Sequence, residues 1–328
     1  MTDDELLGLS FRELPLSRTR GRAAEHMRRL HRELRGRGIR FLPHFWFAEE
    51  WFSPDGVPGI ALPFYIAHPR LVRLERRLMH QVEGGTSDWL MRILRHEAGH
   101  ALDTAYGIRR RADFRRVFGR PGEKYPKDYR PRPASRRYVL HLGHWYAQSH
   151  PTEDFAETFA VWLTPRARWR REYAGWPALR KLEYVDELMR GIAARAPRVR
   201  TRREVEPVEH SRRTLAQHYQ HKAGRYVLED GRYDRQLRRI FSREAMRPRA
   251  AAASYLRSIR PQMERLLVRR ARLHRYVVEH ALDVLIHRCS HMHLHLRHDR
   301  RNARREFLAL AQRVVLGILK RNRENYAL

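Results

Sequence analysis

The pentapeptide His96-Glu97-Ala98-Gly99-His100 carries two imidazoles four residues apart, with a carboxylate beside the first. On an α-helix four residues rise about 6 Å, so both histidines leave the same face one turn apart. Two side chains so placed suit two ligand positions of a tetrahedral Zn2+ ion. Glu97 then lies next to the metal without having to bind it, and can act as general base on a zinc-activated water. The chemistry expected of that set is hydrolysis of a peptide bond or a close amide. The competing reading is a surface helix that carries two histidines by coincidence. What flanks the pentapeptide separates the two.

Trp89, Leu90, Ile93, Leu94, Ala98, Ala101 and Leu102 recur at spacings of about three and four, which wraps the helix broadly in apolar surface. Thr86, Ser87 and Asp88 supply N-cap chemistry, and Gly107 supplies a stop. The predicted helix runs from about Asp88 to Tyr106. Histidines in so apolar a helix are costly to bury unless paired, and a metal would partner both. Catalytic zinc takes three protein ligands and a water. The longer metzincin pattern is absent, because Asp103 and Tyr106 stand where its glycine and third histidine would be.

The better source of a third ligand is His150-Pro151-Thr152-Glu153-Asp154-Phe155-Ala156-Glu157-Thr158-Phe159-Ala160. Pro151 suits a first helical turn and Pro165 ends the helix. Phe155, Ala156, Phe159 and Ala160 give it an apolar face. Glu153 and Glu157 share a face, a repulsion that weakens an isolated helix. Zinc facing one, and a zinc-bound histidine N–H facing the other, would relieve it. A solvated acidic patch at a helix N-terminus, stabilised by the dipole, is the plain alternative. His141, His144 and His150 are rival third ligands.

The two segments together resemble the gluzincin metallopeptidases, in which a second helix supplies a glutamate ligand and an acidic residue four positions later supports the site. The nearer resemblance is to bacterial zinc-binding metallopeptidases of the branch that holds the anthrax lethal factor catalytic domain. Their H-E-x-G-H-A-x-D pattern is His96-Glu97-Ala98-Gly99-His100-Ala101-Leu102-Asp103 here, and their E-x-x-A-E is Glu153-Asp154-Phe155-Ala156-Glu157. The resemblance implies that His96, His100 and Glu153 hold Zn2+, and that Glu157 and Asp103 orient ligand histidines. It also implies that Tyr146, seven residues before Glu153, stabilises the oxyanion. Tyr146 reads equally as an aromatic core pair with Trp145. The likeness covers roughly residues 20–195 and implies a zincin-like fold acting on a peptide or protein substrate.

That fold class is α+β, mostly helical, with a small N-terminal sheet before the active-site helices. Residues 20–36 read as a helix on Ala24, Met27, Leu30 and Leu34; Ile39–Phe52 and Ile60–Ala67 read as β-rich. Residues 120–137, rich in proline and arginine, are expected to form a long loop over the cleft. A helix from Pro177 to Arg195 follows, with Leu179, Leu182, Val185, Leu188 and Ile192 inward. The expected organisation is a peptidase domain over 1–195, a linker over 196–211 and a basic α-helical domain over 212–328. In the last, Val278, Leu282, Leu285, Cys289, Met292 and Leu296 mark one helix seam, and Phe307, Ala311, Val314 and Ile318 another. His287, His291, His293, His295 and His298 crowd together nearby. Four of them, all but His293, fall away from the seam, so a solvated histidine face is expected rather than a second metal site.

The chain has 328 residues, 68 Lys and Arg against 37 Asp and Glu, and a formal net charge of +31. That field favours nucleic acid, ribosomes or acidic peptides. The arginines are scattered and no nucleic-acid module is recognisable, so nucleic acid is possible but not the favoured partner. A basic nucleic-acid or ribosome-binding protein with a structural zinc is the alternative function. One cysteine excludes an internal disulfide. Met1-Thr2-Asp3-Asp4-Glu5 does not open like an export signal, and no apolar run reaches about 18–20 residues. A cytoplasmic protein without membrane partners is expected.

Overall fold

Helical periodicity dominates the sequence, and helices dominate the fold. The computed structural model describes residues 2–79, 82–125, 128–129, 131–133, 135–143, 145–193, 195–226, 231–243, 251–271, 275–297, 299–321 and 326–327. The chain divides into two units. One comprises residues 1–127, 135–142 and 146–225, the other residues 128–134, 143–145 and 226–328.

The first unit holds α1 (Asp3–Gly8), α2 (Gly21–Gly36), β1 (His44–Ala48), β2 (Gly59–Pro63), α3 (Pro69–Met79), α4 (Ser87–Tyr106), α5 (Ala112–Phe118), α6 (Pro151–Leu163), α7 (Trp169–Glu172), α8 (Ala178–Ile192) and α9 (Leu215–Tyr226). The α2 stripe of Ala24, Met27, Leu30 and Leu34 is buried. On α8, Leu182, Val185, Leu188 and Ile192 face inward, while Leu179 is half-buried.

The sheet is smaller than the β-rich composition of residues 39–67 suggests. β1 and β2 pair in parallel from His44↔Gly59 to Ala48↔Pro63. Ala61 N–H donates to the Phe52 carbonyl at 2.9 Å, so the connection between the strands folds back onto β2.

Capping sets the limits of α4. The Thr86 hydroxyl accepts from Trp89 N–H at 3.2 Å, and Gly107 closes the helix in the left-handed region with φ 65°. Residues 196–211 are held against this unit. Arg198 and Val199 N–H groups donate to the Ala105 carbonyl at 2.7 and 3.1 Å, and the Trp46 indole donates to Val205 O at 2.9 Å.

The second unit holds α10 (Asp234–Ile240), α11 (Ala252–Ala271), α12 (Arg275–His291) and α13 (Arg300–Arg321). Val278, Leu282, Leu285 and Cys289 are buried along α12, and Phe307, Ala311 and Val314 along α13; the Ile318 side chain lies outside the described residues. The α12 seam is shorter than its spacing implies. The helix stops at His291, His293 takes a left-handed φ of 52°, and Leu296 pairs with Phe241 as a short strand. Met292 and Leu296 are still buried, but from a turn and a strand. Among the described residues no helix is long and apolar enough to cross a membrane.

Candidate metal centre

Two helices of the first unit build the site. α4 carries the H-E-x-x-H pentapeptide and α6 carries the glutamate pair. His150 caps α6, its Nδ1 accepting from Thr152 N–H at 3.2 Å, with Pro151 in the first turn. The helices touch where both are smallest. A Cβ on Gly99 would lie 3.0 Å from the Ala156 Cα and 3.3 Å from Phe159. The small residues inside the two motifs therefore set the approach that lets the ligand side chains meet.

They meet closely. His96 Nε2 lies 3.0 Å from Glu153 Oε2, His100 Nε2 lies 3.1 Å from the same oxygen, and the two Nε2 atoms are 3.1 Å apart. Zinc bonds of about 2.0–2.2 Å at tetrahedral angles put donors about 3.3 Å apart, so this triangle fits that ion. His96 and Glu153 are buried and His100 is nearly so. Among the described residues, these three form the group of His, Cys, Asp and Glu side chains able to hold a metal.

The surroundings favour positive charge. Burial opposes a charge on His96, yet hydrogen bonds and charge from Glu153 and Glu157 hold its pKa well above the ordinary value. Glu153 is likewise buried, yet His100 and His96 hold it well below the ordinary carboxylate range. Glu157 Oε1 accepts from His96 Nδ1 at 2.8 Å, and its other oxygen accepts from Leu142 N–H at 2.8 Å. The two acids that repel along α6 therefore each face an imidazole of α4.

Glu97 is 8% exposed, and its Oε2 has no hydrogen-bond partner among the described residues. The Tyr146 ring stands 5.6 Å from that of His96. Burial, then the charges of Glu153 and Glu97, raise the Tyr146 hydroxyl far above its ordinary pKa, so it remains a proton donor.

Residues 85–169 match the family model described as Putative zinc-binding metallo-peptidase. No curated protein and no solved structure gives a significant match. The matched span of this metallopeptidase family holds α4, α6 and every residue of the triangle. The family is zinc-binding by description, in agreement with the donor set.

One expected site residue is placed elsewhere. Asp103 does not reach a ligand histidine. Its carboxylate accepts from the Arg109 backbone N–H at 2.7 Å and pairs with the Arg109 guanidinium, fixing the turn that follows α4. The left-handed Gly107 reverses the chain there and returns Arg109 to the helix end. The rival ligands have other partners. His141 Nε2 donates to the Arg92 carbonyl at 2.9 Å, and burial lowers its pKa to about 4. His150 donates to Glu123 O at 2.9 Å. His144 lies outside the described residues.

One site neighbour carried no motif. Tyr125, in the proline- and arginine-rich stretch, donates its hydroxyl to Glu153 Oε1 at 2.7 Å and stacks on His150 at 4.0 Å. An aromatic residue in the proline- and arginine-rich stretch expected to lie over the cleft was the available signal for Tyr125.

Proposed function

We propose that the protein is a zinc-dependent peptidase of gluzincin type, with a zincin-like domain as its catalytic part. The observation that carries this reading is the His96–His100–Glu153 triangle beside an unbonded Glu97 oxygen. Zinc held by these three residues would supply Lewis-acid polarisation of a scissile carbonyl and of water. Three donors with no fourth among the described residues suit an open catalytic position rather than a closed structural site.

The chain's own groups then have distinct tasks. Glu97 Oε2 takes the proton of the attacking water and returns it to the leaving amine. The Tyr146 hydroxyl, held protonated, donates to the oxygen that gains charge. Glu157 holds the Nδ1 proton of His96, which fixes the ring so that Nε2 points into the triangle. Tyr125 takes up the second oxygen of Glu153, leaving Oε2 for the ligand position.

The test compares wild type with Glu97→Gln on an unbiased peptide library, with zinc measured in both. The variant is expected to keep its zinc and lose hydrolysis by about 10²- to 10⁴-fold. Undiminished cleavage by Glu97→Gln would sink the mechanism. Cleavage by neither protein, with zinc bound in both, would favour a structural metal.

A further inference from the structure

Away from the metal centre, the first unit contains a cavity of about 550 Å³ that shares none of its lining with the ligand triangle. Arg40, Arg195, Arg200 and Arg202 stand around it, and no carboxylate lines it. All four are solvent-exposed, and among the described residues none is paired with an acid. Glu204, the acid closest in sequence, is taken by the Arg18 guanidinium at 2.9 Å.

The floor is different in kind. Pro43 and Pro58 are buried there, with the half-buried imidazoles of His31 and His44. His31 Nε2 donates to Pro43 O at 2.9 Å and His44 Nε2 to Arg203 O at 3.2 Å. Burial, with Arg202 adding its charge, lowers the pKa of both rings. Neutral rings below four guanidinium groups leave the positive charge at the rim.

The rim is also held in place. The Tyr106 hydroxyl donates to the Arg195 carbonyl at 3.0 Å, Arg198 N–H bonds the Ala105 carbonyl at 2.7 Å, and Arg200 Nε donates to Pro197 O at 3.1 Å. Elsewhere, much of the charge excess is scattered over helix surfaces or spent in ion pairs. Here, among the described residues, four guanidinium groups without an acid partner line one concavity, where a low-dielectric wall concentrates their field.

We propose that this cavity binds a phosphate-bearing ligand. Planar guanidinium forks match phosphate oxygens two at a time, and four of them exceed what a single carboxylate can neutralise. The volume lies in the range of small-ligand sites of roughly 300–1,000 Å³. Phe41, Leu42 and Pro197 offer the rest of the ligand an apolar wall. The site is independent of the metal and of the peptidase reading.

The test uses the full chain and two probes, pyrophosphate and a short single-stranded oligonucleotide, each titrated at low and high salt. In one variant Arg195, Arg200 and Arg202 become Gln. In a control, three exposed arginines of α13 (Arg301, Arg304 and Arg305) become Gln, with the same loss of charge. The rim variant is expected to lose about 10- to 100-fold in affinity while the α13 variant keeps it. Both should retain the wild-type melting temperature and zinc content. Rim-dependent binding of pyrophosphate assigns a small phosphorylated ligand; rim-dependent binding of the oligonucleotide alone assigns backbone phosphate. Equal losses in the two variants, or no binding of either probe by wild type, would overturn the proposal.

Discussion

α4 and α12 are both long helices that carry histidines at four-residue spacing, His96 and His100 on one, His287 and His291 on the other. Among the described residues, only α4 assembles a ligand set. Its histidines are nearly buried against a second helix that supplies a carboxylate between them, and Gly99 against Ala156 lets the backbones approach. On α12, Cys289 and Leu285 fill the seam, while His291 is exposed and His287 half-buried. Arg288 beside them binds Asp234 at 2.7 Å, so that carboxylate already has a cation. Spacing proposes a metal site, and a close partner helix with an uncommitted acid makes one.

The largest expected difference between the two helices is in metal content. His100→Ala should take bound zinc from about one per chain to near none, because a three-donor site loses a donor. His287→Ala with His291→Ala should leave that zinc in place. Equal losses, read by elemental analysis after dialysis, would erase the contrast.

The next effect concerns what the metal helix is packed against. His141 is buried on the Arg92 carbonyl with a folded pKa of about 4 against an ordinary 6.5. A depressed histidine pKa means that the unfolded chain binds the proton first. Stability present above pH 6.5 is therefore lost as pH falls towards 4, by about 3 kcal/mol from this group. Denaturant midpoints across that window should fall less steeply in His141→Gln. An unchanged slope would remove His141 from the account.

A smaller effect tests the close approach itself. Gly99→Ala should destabilise by about 1–3 kcal/mol, because the new methyl meets the Ala156 backbone at 3.0 Å. Gly191→Ala on α8, with nothing within 4 Å of the new Cβ, should stabilise by about 0.5–1 kcal/mol through helix propensity. Matched melting temperatures in the two variants would mean that α4 and α6 have slack to separate.

Legibility differed from residue to residue for physical reasons. α4 and α6 were readable because caps, apolar spacing and a glycine or proline at their ends all agreed. The parts of the metal site were readable because each part is local, His96 with His100 on one helix and Glu153 with Glu157 on the other; that the two parts meet was not. The resemblance implied that Asp103 orients a ligand histidine, and only the reversal at Gly107 shows Arg109 returning to take its carboxylate. The end of α12 was missed because Met292 and Leu296 kept the burial of a seam after the helix had stopped. Tyr125 and the four arginines of the cavity lie in segments without periodicity, where sequence spacing carries no direction.

Taken alone, the sequence determined the chemistry on offer: two imidazoles, a base and two acids on two amphipathic helices, with a mostly helical fold around them. Such features repeat within one or two turns, so local geometry specifies them. Tertiary structure decided which groups those side chains face. It put Glu153 against both histidines, gave Glu157 to His96, turned Asp103 to Arg109 and drew Arg40 and residues 195–202 around one cavity. Those choices depend on how segments tens of residues apart pack, and packing is a property of the whole unit.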